Sequence, residues 1–364
     1  MSDQPHLQIR DLRTFFFDKE RQAFVRSVNG VNLDVARGET LGVVGESGSG
    51  KSITMLSVMG LIGANPGVIQ GDVTLQTEGG RRDLLAGLDD YVSVDEQGSR
   101  LKITKDAAGW QRHVETLMQG IRGKELGMIF QNPKAALNPY ETVGRQISEM
   151  IRLHTPIDSR REARERAIEW LARVKIDAPA ERYDNFPYGL SGGMCQRAMI
   201  ALALSAEPSL LIADEPTTGL DATIQAEVIE LLVQLKAELG ITLVLISHDI
   251  SVISRLADRV AVMYGGQVVE HGPADTVLSS SAPAKHPYTR ALLTSVPGRG
   301  NVDANGRLRA IQGEVPDILD APAGCRFRPR CSELNEAVRE RCGGQTPELT
   351  EVAPGHCIRC WLQD

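Results

Sequence analysis

The chain has 364 residues, 42% of them apolar and 24% charged, with a formal net charge of −7 and a pI near 5.6. That length holds one large α/β domain with an appendage, or two modest domains, and the acidic balance gives no global reason to expect nucleic acid as a partner. No apolar run approaches the roughly 18–20 residues that cross a bilayer, and Met1-Ser2-Asp3-Gln4-Pro5-His6 lacks the basic and apolar regions of a signal peptide, so the expectation is a cytosolic protein whose membrane link runs through a partner.

In chain order, Leu7-Gln8-Ile9 and Val31-Asn32-Leu33-Asp34-Val35 alternate as strands, and Thr40–Val44 runs into a glycine loop. The continuous apolar character of 41–44 suits a strand covered on both faces. A helix is expected from Lys51-Ser52 to about Gly60–Gly63. Residues 76–125 are polar, rich in Gly, Asp and Arg, and weakly periodic. They read as a surface insert on a β-subdomain, without chemistry of their own. From Glu141 to Ile176 the pattern is helical, and the charges of Arg160–Arg166 read as a solvated face. Leu210–Asp214 and Ile241–Ile246 are short apolar runs of buried parallel strands, and Ala261–Met263 and Gln267–Val269 continue the sheet. A Ser-, Ala- and Pro-rich linker at 279–287 places the main domain boundary near 280. No internal repeat is visible, so the core occurs once.

Three strings carry the chemistry. Gly45-Glu46-Ser47-Gly48-Ser49-Gly50-Lys51-Ser52 follows an apolar strand and opens a helix, the context that confirms a phosphate loop. Its glycines let successive N–H groups turn inward around phosphate oxygens, and Ser47 and Ser49 lie on that cradle. Lys51 neutralises β- and γ-phosphate charge, and the Ser52 hydroxyl ligates Mg²⁺. Asp214 ends a buried strand, where a carboxylate is costly unless it faces a cation; it is expected to hold Mg²⁺ through water, with Glu215 as the general base. Ser191-Gly192-Gly193 reads as a second phosphate-binding helix start. Cys195 beside it reads as a small buried side chain, since no base adjoins it. Gln131, Asp221 and a lone His248 would each pass as ordinary loop or structural residues.

Taken in order, the phosphate loop, Gln131, Leu190-Ser191-Gly192-Gly193-Met194, Asp214-Glu215, Gly219-Leu220-Asp221 and His248 resemble the ATP-binding-cassette (ABC) ATPases. The resemblance implies an α/β fold: a P-loop NTPase core, an antiparallel β-subdomain and a helical signature subdomain at about 135–205, together the nucleotide-binding domain 1–280, with a small C-terminal extension, 281–364. It implies ATP and Mg²⁺ as ligands. His248 then contacts the γ-phosphate, Gln131 senses Mg²⁺ and the attacking water, and Asp221 lies at a dimer interface. Ser191, Gly192 and Gly193 close in trans over ATP held by another cassette. Adenine stacks on an aromatic ahead of the phosphate loop; strand spacing favours Phe16, with Phe24 as competitor.

Val44–Ser52, Met128–Pro133 with Ala136-Leu137-Asn138-Pro139, and His286-Pro287-Tyr288-Thr289-Arg290-Ala291-Leu292-Leu293 resemble the oligopeptide/dipeptide/nickel importer branch in particular. Everything except 76–125 is covered. The branch implies a second ATPase subunit, usually a different chain, two transmembrane permease subunits, an extracytoplasmic solute-binding protein, and a place on the cytoplasmic face of the inner membrane. The alternative is a soluble ABC ATPase without a permease. Five of the six cysteines follow residue 324, spaced Cys325-x5-Cys331-x10-Cys342-x14-Cys357-x2-Cys360. In a reducing compartment such a set points to a metal rather than disulfides, and spacing alone leaves zinc and iron–sulfur open. The branch resemblance favours a [4Fe–4S] cluster on Cys325, Cys331, Cys342 and Cys360, from which Cys357 departs. Arg326, Arg328 and Arg330 would offset thiolate charge or form a solvated basic surface.

Overall fold

A computed structural model of the chain describes residues 4–18, 20–21, 23–62, 67–97, 100–295, 311–313 and 324–363. The first three residues of the expected non-signal start, Gly63 of the expected helix end, and much of the tail between 296 and 323 lie outside these. Contacts divide the chain into two compact units: 1–35 with 40–117 and 247–364, and 36–39 with 118–246.

The first unit opens with β1 (Leu7–Asp18), β2 (Ala23–Val35) and β3 (Thr40–Val44), then α1 (Lys51–Val58), β4 (Val68–Thr77) and β5 (Gly80–Asp83). An antiparallel sheet runs β2-β1-β4-β5. Its central strand buries Leu7, Ile9, Leu12 and Phe15, and Val31, Leu33, Val73 and Leu75 pack alongside. All five residues of β3 are buried, as its unbroken apolar run predicts.

The stretch 76–125 is more ordered than its sequence suggests. After β5 come a hairpin of β6 (Val92–Gln97) and β7 (Arg100–Lys105) and then α2 (Ala107–Met118). Leu84, Leu85, Leu88, Trp110 and Val114 are buried. Trp110 and Val114 stand one helical turn apart, a narrow apolar stripe that the surrounding charges conceal in any averaged reading. Lys105 lies over the Trp110 ring at 4.2 Å. The weakly periodic, largely polar segment thus folds around a few large apolar anchors.

The second unit centres on parallel strands β8 (Leu126–Ile129), β9 (Leu210–Asp214) and β10 (Thr242–Ile246), with β9 in the middle and every residue buried. Around them lie the short α3 (Pro133–Ala136), α4 (Val143–His154), α5 (Arg160–Arg173), the short α6 (Pro179–Arg182), α7 (Gly192–Leu204) and α8 (Ala222–Leu239). The helical pattern read over 141–176 breaks at Thr155–Ser159, where Pro156 cannot continue α4 and the Ser159 side chain caps α5 by accepting the Glu162 N–H. The charges of α5 do form an exposed face, with pairs such as Arg164–Asp184 and Arg166–Glu169 that add little stability.

The first unit resumes with α9 (Ile250–Leu256), β11 (Arg259–Tyr264), β12 (Gln267–Pro273), the short α10 (Ala274–Val277), α11 (Pro287–Thr294), α12 (Glu336–Gly344), β13 (Thr350–Ala353) and β14 (His356–Ile358). These strands run β13-β14-β12-β11-β3, with β11 parallel to β3 and the rest antiparallel. The C-terminal tail thus extends the sheet whose β3 leads into the phosphate loop. It is fastened by Glu270 on β12, which is wholly buried and accepts both the His286 backbone N–H (2.8 Å) and the His356 Nε2–H (2.9 Å).

Candidate nucleotide site

In the first unit the loop Gly45–Ser52 joins buried β3 to α1. Its glycines answer to geometry rather than to general flexibility. At Gly45 (φ 153°) a Cβ would meet the Met263 carbonyl at 2.3 Å, and at Gly50 (φ 97°) the Ser27 carbonyl at 2.6 Å; both clashes are with backbone and cannot be relieved by a rotamer. Gly48 (φ 78°) and Ser47 form the exposed tip, while Ser49 is buried. Lys51 is buried and donates from Nζ to the carbonyls of Gly45 (2.9 Å) and Glu46 (3.0 Å), folding the ammonium back into the loop. Ser52 follows in the first turn of α1, whose start has no side-chain cap. The helix thus starts at Gly50 without a capping side chain, as suits an anion cradle. His248 follows Ser247, whose N–H donates to the Val43 carbonyl at the end of β3 (3.2 Å), and is exposed.

Phe16 lies on β1 opposite Val25 and is half-buried. Its neighbours have other roles: Phe15 is in the core, and Phe17 packs edge-on against Phe24 at 5.1 Å.

In the second unit Asp214 ends β9 and is buried, as the strand pattern predicts. Glu215 comes next with φ 46°, a left-handed conformation unusual for a side chain of this size. Its N–H donates to the Ile246 carbonyl (2.9 Å). Its carboxylate accepts from Gln131 Nε2 (3.0 Å) and Thr218 Oγ1 (2.8 Å). Two of the sequence-predicted residues, 84 positions apart, are therefore brought into direct contact. Thr218 was missed, since a threonine within Pro216-Thr217-Thr218-Gly219 gives no signal apart from its neighbours.

Ser191 caps α7 by accepting the Met194 N–H (3.3 Å), and both it and Gly192 are exposed. A Cβ on Gly192 would meet nothing within 4 Å, so packing inside this chain does not explain the glycine. Asp221 caps α8, accepting from Thr223 and Ile224 N–H at 3.1 and 3.0 Å. Cys195 is buried with its thiol directed at the Pro187 carbonyl, and burial raises its pKa, as expected of a packing residue.

The tail brings Cys325, Cys331, Cys342 and Cys360 around one small cavity, closed by Phe327, Leu334 and Trp361 among others. All four are free thiols. Burial lifts Cys325 to about 11 and Cys360 to about 12, and raises Cys331 and Cys342 as well. Among the described residues no three His, Cys, Asp or Glu side chains cluster tightly enough for a single metal ion. Four thiols around a shared space are a soft donor set of the kind that both zinc and iron–sulfur clusters take. Cys357 stands apart on β14, paired with His271 and Glu351. The three arginines divide. Burial raises Cys342 and the Arg328 charge offsets only part of that rise, whereas Arg326 donates to the Gly265 carbonyl and Arg330 grips Glu46. Neither a shared thiolate counter-charge nor a solvated basic surface describes those last two.

Comparison with known proteins gives the same frame. The family model described as "ABC transporter" matches residues 28–218, and that described as "Oligopeptide/dipeptide transporter, C-terminal region" matches 269–342. The oligopeptide transport ATP-binding protein AppD of Bacillus subtilis (strain 168) is 40% identical over 98% of this chain and 97% of its own. The oligopeptide transport ATP-binding protein OppD of the same organism is 40% identical over 98% of this chain and 88% of its own. Among solved structures, a dimeric post-hydrolysis state of the ATP-binding cassette MJ0796 bound to ADP and Pi superposes with a TM-score of 0.56 at 26% identity, over 74% of this chain and 98% of that one. The fold is the ABC ATPase cassette, a P-loop NTPase with an antiparallel sheet.

Proposed function

The chain belongs to the ABC transporter family, and we propose that within it this protein is the ATP-hydrolysing subunit of an importer for peptides or related small solutes. Similarity to AppD and OppD along nearly the whole chain supports the transport reading. The observation that carries the enzymatic reading is the Gln131–Glu215–Thr218 contact. A carboxylate held in a strained backbone and oriented by an amide and a hydroxyl that both donate to one of its oxygens is a prepared general base.

Lys51 and the N–H groups of Gly45, Ser47, Gly48, Ser49 and Gly50 hold the β- and γ-phosphates. Ser52 and Asp214 hold Mg²⁺, with Gln131 reporting its presence to the attacking water. His248 contacts the γ-phosphate, and Phe16 stacks on adenine. Residues 1–280 form the nucleotide-binding domain and 281–364 the extension. The partners are a second ATPase subunit of a different sequence, two permeases and an extracytoplasmic solute-binding protein, which place this chain on the cytoplasmic face of the membrane. No helix among the described residues is long and apolar enough to span it. Recovery of the chain with integral membrane subunits from detergent-solubilised membranes supports this assembly. Soluble protein alone would favour an ABC ATPase without a permease.

Ser191, Gly192 and Gly193 act on ATP held by the partner cassette. Gly192→Asp tests this cleanly. The position is open, and an aspartate in the first turn of a helix favours folding, so stability and ATP binding by this chain's own loop should be unchanged. Facing a γ-phosphate in trans, the new charge should lower turnover of the assembled pair at least about tenfold. Undiminished turnover would remove the signature from that role.

Cys325, Cys331, Cys342 and Cys360 hold a [4Fe–4S] cluster, which would fasten the tail and supply a one-electron centre. Protein purified without oxygen should be brown and contain iron and sulfide; a colourless sample carrying one equivalent of zinc would refute the cluster.

A further inference from the structure

Glu46 is the second residue of the phosphate loop, and both its side chain and its backbone are held by the C-terminal extension. Its carboxylate receives two parallel bonds from Arg330, at 2.8 and 3.1 Å, and the Arg330 side chain is only 3% exposed. Its N–H donates to the Tyr288 hydroxyl at 2.9 Å. Arg330 is itself fixed by Nε donating to the Gln312 carbonyl (2.9 Å). Tyr264, Tyr288 and Phe327 pack against one another with centroids 4.6–5.4 Å apart, so neither hydroxyl nor guanidinium can drift. A second arm reaches the far side of the loop: Arg326 donates to the Gly265 carbonyl, and the N–H of Gly266 donates to the Ser49 carbonyl at 2.9 Å. Arg326 and Arg330 both sit between Cys325 and Cys331.

We infer that Arg330 and Tyr288 are positioning residues for the phosphate loop, so that the C-terminal extension sets the affinity of this chain for ATP. This rests on the reading that Gly45–Ser52 binds ATP. A bidentate Arg–carboxylate pair carries geometric information that a lone charge does not. It fixes the plane of the Glu46 carboxylate, and Tyr288 fixes the direction of the adjoining N–H. The loop that must cradle phosphate is thus set before nucleotide arrives, which lowers the ordering cost of binding. Neither residue touches the reacting atoms. Their loss should weaken ATP binding while leaving the chemical step of the bound state nearly unchanged.

The test uses the full chain in its complex, with ATP affinity read by titration and steady-state ATPase giving KM and kcat. Arg330→Met should raise the ATP Kd and KM by about tenfold or more, since a loop displaced by ~1 Å is costly, with kcat within about twofold. Arg330→Lys, which keeps the charge but loses the fork, should recover only part of that loss. Glu46→Gln should raise KM comparably. The double variant Glu46→Gln/Arg330→Met should be no worse than Arg330→Met alone, a coupling that general loosening of the fold would not produce. Should Arg330→Met fail to fold, Tyr288→Phe keeps the ring, removes the hydroxyl, and should still raise KM about threefold. Unchanged KM in Arg330→Met and Tyr288→Phe, with ATP binding abolished by Lys51→Ala, overturns the inference and leaves the nucleotide site standing. Full ATP binding by Lys51→Ala overturns the site reading instead.

Discussion

Replacing Glu215 with glutamine should cut steady-state ATP turnover by about 10²- to 10⁴-fold, the usual worth of a positioned general base, while ATP affinity stays within a few-fold. The structure gives the reason for the asymmetry. Glu215 stands immediately after the buried strand β9 in a left-handed backbone, and its carboxylate is fixed by Gln131 and Thr218. Glutamine has the same shape, and its amide oxygen in the place of Oε2 can still accept both bonds, so the loop keeps its geometry, but an amide cannot take a proton from water. Cassettes carrying the variant should therefore accumulate in the ATP-bound state. The measurement is a single-turnover ATPase assay beside a nucleotide titration. Turnover within tenfold of the parent would remove Glu215 from this role. Equal loss of binding and turnover would make it structural.

Glu270→Ala should destabilise the protein by about 3–5 kcal/mol, the cost of stranding a buried partner charge. Glu270 is fully buried, accepts from His356 and from the His286 backbone, and lies 4.0 Å from the Lys285 ammonium, itself 1% exposed. Lys285 keeps its bonds to the Val277 and Thr276 carbonyls but loses the opposing charge. Denaturant unfolding monitored by circular dichroism reads the loss; a change below about 1 kcal/mol would show that Glu270 does not anchor the tail.

The same cluster makes the fold acid-sensitive. Burial pushes His286 down to about 4, and its Nδ1 accepts the Tyr288 N–H, which requires the neutral ring. His271 is likewise lowered to about 4, by burial first and by the Arg259 charge second. A histidine depressed in the folded state binds fewer protons there than when unfolded. Its contribution is therefore complete above pH ~6.5 and is lost as pH falls toward 4. His286 alone accounts for a loss on the order of 3 kcal/mol, and His286→Asn, which preserves the helix cap, should flatten that part of the profile.

How much of this was legible in the sequence depended on whether the cause was local. The phosphate loop was legible because its glycines are forced by backbone conformation and its flanks are a buried strand and a helix. The strands at 41–44, 210–214 and 242–246 were legible because burial on both faces leaves an unbroken apolar run. Glu215 and Gln131 entered through the ordered motifs, and the fold adds their contact. The hairpin and helix inside 76–125 were not legible because Trp110 and Val114 are few among many charges. The grip of Arg330 on Glu46 spans 284 residues. An arginine among cysteines reads as thiolate compensation, and nothing in spacing points it toward the phosphate loop.

We propose that ATP hydrolysis by this chain drives import through permeases. The most direct test is uptake of a labelled mixture of short peptides into proteoliposomes holding this chain, its partner cassette, the two permeases and the solute-binding protein. Uptake should need hydrolysable ATP and stop with Glu215→Gln. Vigorous ATPase from this chain alone, with no binding to the permeases and no uptake in the full assembly, would contradict it.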